Sequence, residues 1–252
     1  MRRDKGEMER ALDELWQRAR FRLYSPRHLW TWLDLNRRFE LSFVRSGQLK
    51  VQVPRGLVPD CDSCLEICCT GPNAVVSLRL RDIAALVDAG LEEHITFDRP
   101  DAPGDRSWAA LEASWSVFHR TFPVLRRDET GTCALLTDER TCGAWPSWPL
   151  SCARYPYAID VLGRRIFLAK GCGEHRFVTL EDPPGRVRDL VDAAVKSYNE
   201  RVKDIILLHV ALDELCDLGL ARFLCLDGRL GRKAERRLAA SAAAGDASVE
   251  DA

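Results

Sequence analysis

The stretch Cys61-Asp-Ser-Cys-Leu-Glu-Ile-Cys-Cys69 places four thiols in nine residues. A borderline or soft metal needs thiolates that converge at about 2.3 Å, and a two-residue spacer such as Cys61-x-x-Cys64 allows a tight turn that aims both sulfurs at one centre. Cys68 adds a third sulfur at C-x2-C-x3-C spacing, close to the spacings that hold iron–sulfur clusters. Cys68 and Cys69 are neighbours whose side chains tend to diverge, so one of them serves a second site or lies just outside the first. Further along, Cys133 and Cys142 bracket Ala-Leu-Leu-Thr-Asp-Glu-Arg-Thr, Cys152 lies in Trp148-Pro-Leu-Ser-Cys-Ala-Arg-Tyr-Pro156, and Cys172 stands between Gly171 and Gly173. Cys61, Cys64, Cys68, Cys69, Cys133, Cys142, Cys152 and Cys172 thus form the pool of candidate metal ligands. Eight thiols exceed the four that one tetrahedral zinc or one 4Fe–4S cluster requires. Either two centres are present or some thiols stand behind the ligands.

Other uses of cysteine fit the chain less well. Disulfides need an oxidising compartment, and the N-terminus, MRRDKGEMERALDELWQRAR, has no apolar segment of the kind found in secretory signals. A redox dithiol at Cys61 and Cys64 calls for a βαβ context that the flanking sequence does not offer. Cys216 and Cys225 stand apart on helical patterns and read as buried thiols. His175 follows Cys172 at C-x-x-H spacing and is an additional candidate ligand, whereas His28, His94, His119 and His209 are scattered and read as structural. Ser/His/Asp catalysis and phosphate-cradling glycine loops leave no local signature.

These motifs resemble the YkgJ-type cysteine-cluster family, described as zinc- or iron-chelating and written CxxCxxCC. The corresponding parts are CDSCLEICC (61–69), VVSLRLRDIAAL (75–86), CALLTDERTC (133–142), CGAWPSWPLSCARYP (142–156) and GCG (171–173). The resemblance covers about residues 58–175. It departs in the three residues Leu65-Glu66-Ile67 ahead of the doublet, and in Trp145, Trp148 and Ala153, which stand where the family has tyrosine, arginine and arginine; Arg154 offers a charge one position along. The resemblance implies a cysteine-held iron or zinc centre. Some larger relatives are similar to flagellin lysine methylases, but no G-x-G-x-x-G loop for S-adenosylmethionine is visible here.

The elements that must position these residues follow from periodicity. The chain has 252 residues, 46% hydrophobic and 30% charged, with a formal net charge of −1, a balance that argues against nucleic acid as a partner. No apolar run reaches the ~20 residues needed to span a bilayer, so the expectation is a cytoplasmic protein with no membrane contact. Residues 7–46 read as one or two helices, with Ser25-Pro26 restarting the second. A short strand is expected near 48–53, and a helix from Ser77 to Ala89 with Leu80, Ile83, Ala84 and Val87 on one face, Asp82 on its solvated side and Gly90 as its stop. A polar loop over 98–106 and a short helix near 107–119 precede the turn-rich segment 124–138. Residues 158–168 read as a β-hairpin about Gly163. Two helices, 185–200 and 201–218, close the fold. Trp145 and Trp148 either exclude water from the second cysteine group or pack beside Pro146 and Pro149.

The reading is therefore a single α+β, mainly helical domain around a loop-rich cysteine centre and a β-hairpin. Residues 1–57 form a helical N-terminal segment, 58–175 the cysteine region, 176–230 the C-terminal helices and 231–252 a disordered tail, the last from its Ala, Arg, Ser, Asp and Glu composition. The function expected is metal binding, as an iron–sulfur cluster or zinc. A redox or protein-modifying enzyme using that centre is the alternative. A structural zinc scaffold presenting the 7–46 helices to a protein partner is a third, which exposed apolar surface on those helices would favour.

Overall fold

Helix α1 (Glu7–Leu23) begins without a capping side chain of its own. Its first amides are satisfied from elsewhere in the fold: the Asp88 carboxylate accepts from Met8 N (2.8 Å) and Glu9 N (3.0 Å), and glycine at position 6 leaves room for it, since a Cβ there would collide with the Asp88 side chain. Asp88 is the last residue of α3 (Leu80–Asp88), so the end of one helix caps the start of another. Asp88→Ala should lower stability by about 0.5–2 kcal/mol, the usual range for a lost N-cap; a urea midpoint unchanged by the substitution would show that water replaces the carboxylate without loss. Helix α3 ends in a Schellman arrangement about Gly90 (φ +67°), with Leu91 N donating to Leu86 O and Gly90 N to Val87 O.

The coordinates are a computed structural model and describe residues 6–39, 41–52, 57–59, 69–70, 75–98, 122–139, 141–155, 157–160, 164–168, 177–179, 183–224, 226 and 228–247. After α1, a 3-10 turn at Pro26–His28 leads into α2 (Leu29–Phe39), as the Ser25-Pro26 signal predicts. The remaining helices among the described residues are α4 (Leu150–Arg154), α5 (Pro183–Val210), α6 (Leu212–Asp217) and α7 (Gly228–Ala247). The strands are short: β1 (Lys50–Gln52), β2 (Leu57–Pro59), β3 (Ile95–Asp98), β4 (Phe122–Leu125), β5 (Tyr157–Asp160), β6 (Arg165–Leu168) and β7 (Phe177–Thr179). β5 and β6 form the expected antiparallel hairpin, and β1 adds to β6 in parallel, Val51 opposite Ile166. β2 pairs with β7 and β3 with β4, both antiparallel. The fold is mainly helical with a small β component.

The main core gathers Leu12, Leu15 and Ala19 of α1, Leu80, Ile83 and Leu86 of α3, and Val202, Ile205 and Ile206 of α5. Three expectations are corrected here. The helices expected at 185–200 and 201–218 are one helix to Val210 and a short one from Leu212, broken at Ala211 (φ −140°). No breaker stands at Glu200-Arg201, and the buried stripe Val191, Ala194, Tyr198, Val202 and Ile205 runs straight through that point. The expected helix over Ser77–Ala89 starts only at Leu80, because Ser77 is drawn into a β-bridge with Val124. The disordered tail expected from residue 231 is helix as far as Ala247. Alanine and arginine have high helix propensity, and tertiary contacts hold the segment: Ala234 is buried, Lys233 pairs with Asp213 (2.7 Å) and Arg237 grips both oxygens of Asp217 (2.9 and 3.0 Å). The helix expected near 107–119 lies outside the described residues.

Candidate metal centre

Cys69, Cys133, Cys142 and Cys152 come from different segments, and all four belong to or pack against the main core. Cys133 N donates to Cys69 O at 2.6 Å, tying the end of the first cysteine group to the second. Cys133 is also bridged to Arg127, and Cys142 to Leu136, both antiparallel. Three of the four cysteines open a tight turn: Leu136 N reaches Cys133 O (3.0 Å), Trp145 N reaches Cys142 O (3.0 Å) and Tyr155 N reaches Cys152 O (3.2 Å). Turns of this kind leave following amides free to face the sulfur, and the Ala144 N–H donates to the Cys142 sulfur. Such a bond favours the thiolate.

Burial and neighbouring thiols both shift Cys69, Cys142 and Cys152. Burial pushes the Cys69 thiol up, and the neighbouring Cys133 and Cys142 push it further. Cys142 is raised by burial and by Cys133, with the Ala144 amide opposing. Cys152 is raised well above an ordinary thiol by burial, then by Cys69, Cys142 and Cys133. For Cys69, Cys142 and Cys152 a thiolate would therefore be costly, and more costly beside another thiolate, the situation that a shared cation relieves. Cys69, Cys133, Cys142, Cys152 and Cys216 are all free thiols.

Among the described residues, no group of three or more histidine, cysteine or acidic side chains is arranged at metal-holding distance. Cys61, Cys64, Cys68, Cys172 and His175 lie outside the described residues. The donor set that is described is chemically consistent with zinc or an iron–sulfur cluster, being thiols at a partly dry site, and inconsistent with a calcium or magnesium cage, which needs oxygens. Asp82, whose charge acts on Cys152, already has both oxygens engaged. Cys216, 3% exposed, lies apart with its thiol directed at Ala234 O, as expected for a buried structural cysteine. His28 and His209 are held locally, by Ser25 Oγ (3.0 Å) and Ile205 O (2.8 Å).

Asp82 is the residue that sequence reasoning misplaced. It is 4% exposed, not solvated. One oxygen accepts from Arg79 N (2.8 Å) and the other from Leu150 N (2.9 Å), the first residue of α4. Asp82 thereby fastens the helix that carries Cys152 to the start of α3. A signal for this was present: Val75 to Val87 is apolar at most positions on every side of the aspartate, so no solvated face is available. Arg79 and Asp204, 4% and 2% exposed, are buried charged residues that act on Asp82 or on each other. Burial lowers Arg79 to about 10, still protonated at neutral pH, raises Asp82 to about 6, and raises Asp204 well above an ordinary carboxyl while Arg79 opposes. Arg154, beside Cys152 and Asp82 in the electrostatic sense, donates to Tyr157 O at 2.8 Å. Trp145 and Trp148 pack on each other, ring centroids 4.7 Å apart, and remain 66% and 42% exposed.

No protein-family model matches this chain, no curated protein is similar to it, and no solved structure resembles it. No helix among the described residues is long and apolar enough to cross a membrane.

Proposed function

We propose that this protein binds a metal centre through its clustered cysteines, an iron–sulfur cluster in preference to zinc. The observation that carries the reading is that Cys69, Cys133, Cys142 and Cys152, free thiols far apart in sequence, belong to or pack against one core, with Cys152 near enough to feel the charge of the other three. The Ala144 N–H directed at the Cys142 sulfur supports it. So does the order of the cysteines, including Cys61, Cys64, Cys68 and Cys172, which resembles the YkgJ-type pattern. The C-x2-C-x3-C spacing at Cys61, Cys64 and Cys68 tilts the choice toward iron and sulfide. A cytoplasmic location belongs to the same proposal, since a reducing compartment keeps such thiols available. The structural zinc scaffold stands as a second reading, favoured by the exposed aromatic side chains of the N-terminal helices. In that case the metal would contribute folding free energy directly.

Metal and acid-labile sulfide analysis, with a visible spectrum, on protein purified without oxygen separates these readings. Iron and sulfide in comparable amounts with broad visible absorption is the expected result. Stoichiometric zinc in a colourless protein that unfolds on chelation would select the scaffold. Thiols that titrate as disulfides, with neither metal present, would remove both.

A further inference from the structure

The corner between α1 and α2 holds large apolar side chains in water. Phe21 and Tyr24, at the end of α1, are 69% and 76% exposed, and Trp30, at the start of α2, is 79% exposed, with Leu29 and Leu33 beside it also exposed. These residues are surplus to the core, because α1 already buries Leu12, Leu15, Ala19 and Leu23. The surrounding charge is arginine. Arg18, Arg20, Arg27 and Arg37 are exposed, Arg20 lies 4.7 Å from the centroid of the Phe21 ring, and no lysine occurs between Lys5 and Lys50. Arg18, Arg27 and Arg37 form no ion pair among the described residues. Arg22 is committed to Glu214, and Asp34, the acid between Leu33 and Leu35, has an interaction of its own.

We propose that this corner docks an acidic amphipathic segment of another protein. Exposed Trp, Tyr and Phe with exposed arginines close by in sequence match the composition of interface hot spots, and guanidinium forks match carboxylates with two bonds each. An extended polyanion or anionic membrane fits less well. The chain as a whole carries −1, so it offers no long-range pull on such a surface, whereas a short acidic segment responds to charges within a Debye length of ~8–10 Å. A membrane-surface helix also presents one continuous apolar face along its length, and here the apolar groups cluster where two helices meet. The proposal does not depend on the metal reading.

The test uses the full chain and a fluorescein-labelled helical peptide with leucines at i, i+4 and i+7 and glutamates elsewhere, followed by fluorescence anisotropy. The same peptide with lysines for glutamates, phosphatidylserine–phosphatidylcholine vesicles and single-stranded polyuridine serve as competitors for the assignment. The glutamate peptide should bind, the lysine peptide should not, and raising the salt should weaken binding. Trp30→Ala and the double variant Arg27→Glu/Arg37→Glu should each reduce affinity at least about tenfold, with circular dichroism and thermal midpoint unchanged because these side chains are exposed. Failure of the glutamate peptide to bind at millimolar concentration, equal binding of both peptides, or indifference to the variants would overturn the proposal. Preferential capture of vesicles or polyuridine would reassign the surface to those partners. A dimer in sedimentation equilibrium that Trp30→Ala dissociates would reassign it to a second copy of the chain.

Discussion

With the proposed cysteine-held centre, Cys152→Ser should strip the protein of bound metal. Loss of a residue that merely supports a ligand already costs about 10–100-fold in metal affinity, so loss of a ligand thiolate should reduce bound iron or zinc by at least that factor, read by elemental analysis and, for a cluster, by bleaching of the visible bands. Cys152 is the most informative position because three other thiols, Cys69, Cys142 and Cys133, all act on it. Cys69→Ser, Cys133→Ser and Cys142→Ser should follow the same course. Cys216→Ser is the control: that thiol is buried behind α7 and directed at a backbone carbonyl, so the variant should keep its full metal content even if it loses some stability. Retention of metal by all four variants would place any centre wholly on Cys61, Cys64, Cys68 and Cys172. A Cys216→Ser protein that lost metal in step with the others would instead point to general unfolding.

The second large effect is at Asp82. Asp82→Ala removes the acceptor for two buried amides, Arg79 N and Leu150 N, and leaves the buried Arg79 guanidinium with less negative charge nearby. Each unsatisfied group costs about 1–3 kcal/mol, so the loss should be about 2–5 kcal/mol in urea unfolding. It should also loosen α4, which carries Cys152, and lower metal content in parallel. Asp82→Asn tests the charge separately. Burial raises the folded carboxyl from 3.8 to about 6, so between those values the folded protein holds a proton that the unfolded chain does not. The contribution of Asp82 to stability is thus fully present below pH 3.8 and is lost as pH rises through about 6, a change of about 3 kcal/mol. The stability difference between the parent and Asp82→Asn, measured on metal-free protein, should shrink by roughly that amount from pH 4 to pH 7. A difference that stayed constant would mean that the carboxyl titrates normally, with water reaching it.

Much of the chain was legible before any coordinates. The two N-terminal helices, the restart at Ser25-Pro26, the stop at Gly90 and the hairpin over 158–168 all depend on interactions between residues close in sequence. Periodicity, proline and glycine report such interactions directly. The cysteine spacing likewise names the residues of the candidate centre and the class of donor atom. What it could not supply was the company each residue keeps. Asp82 reads as a solvated helix residue until α4 arrives 68 positions later and places an amide against it. The Glu200-Arg201 region reads as a junction until α5 is seen to bury an unbroken stripe. The α7 segment reads as a tail until Asp213 and Asp217 on α6 meet Lys233 and Arg237.

The sequence by itself determined which residues are available for chemistry and which local elements form, because spacing and propensity act over a few residues. Only the tertiary structure decided that Cys69, Cys133, Cys142 and Cys152, distant in sequence, belong to or pack against the same main core, that Asp82 and Arg79 are buried, and that aromatic and arginine side chains are left in water at the α1–α2 corner. Burial and desolvation are properties of packing between distant segments, and no short window of sequence contains them.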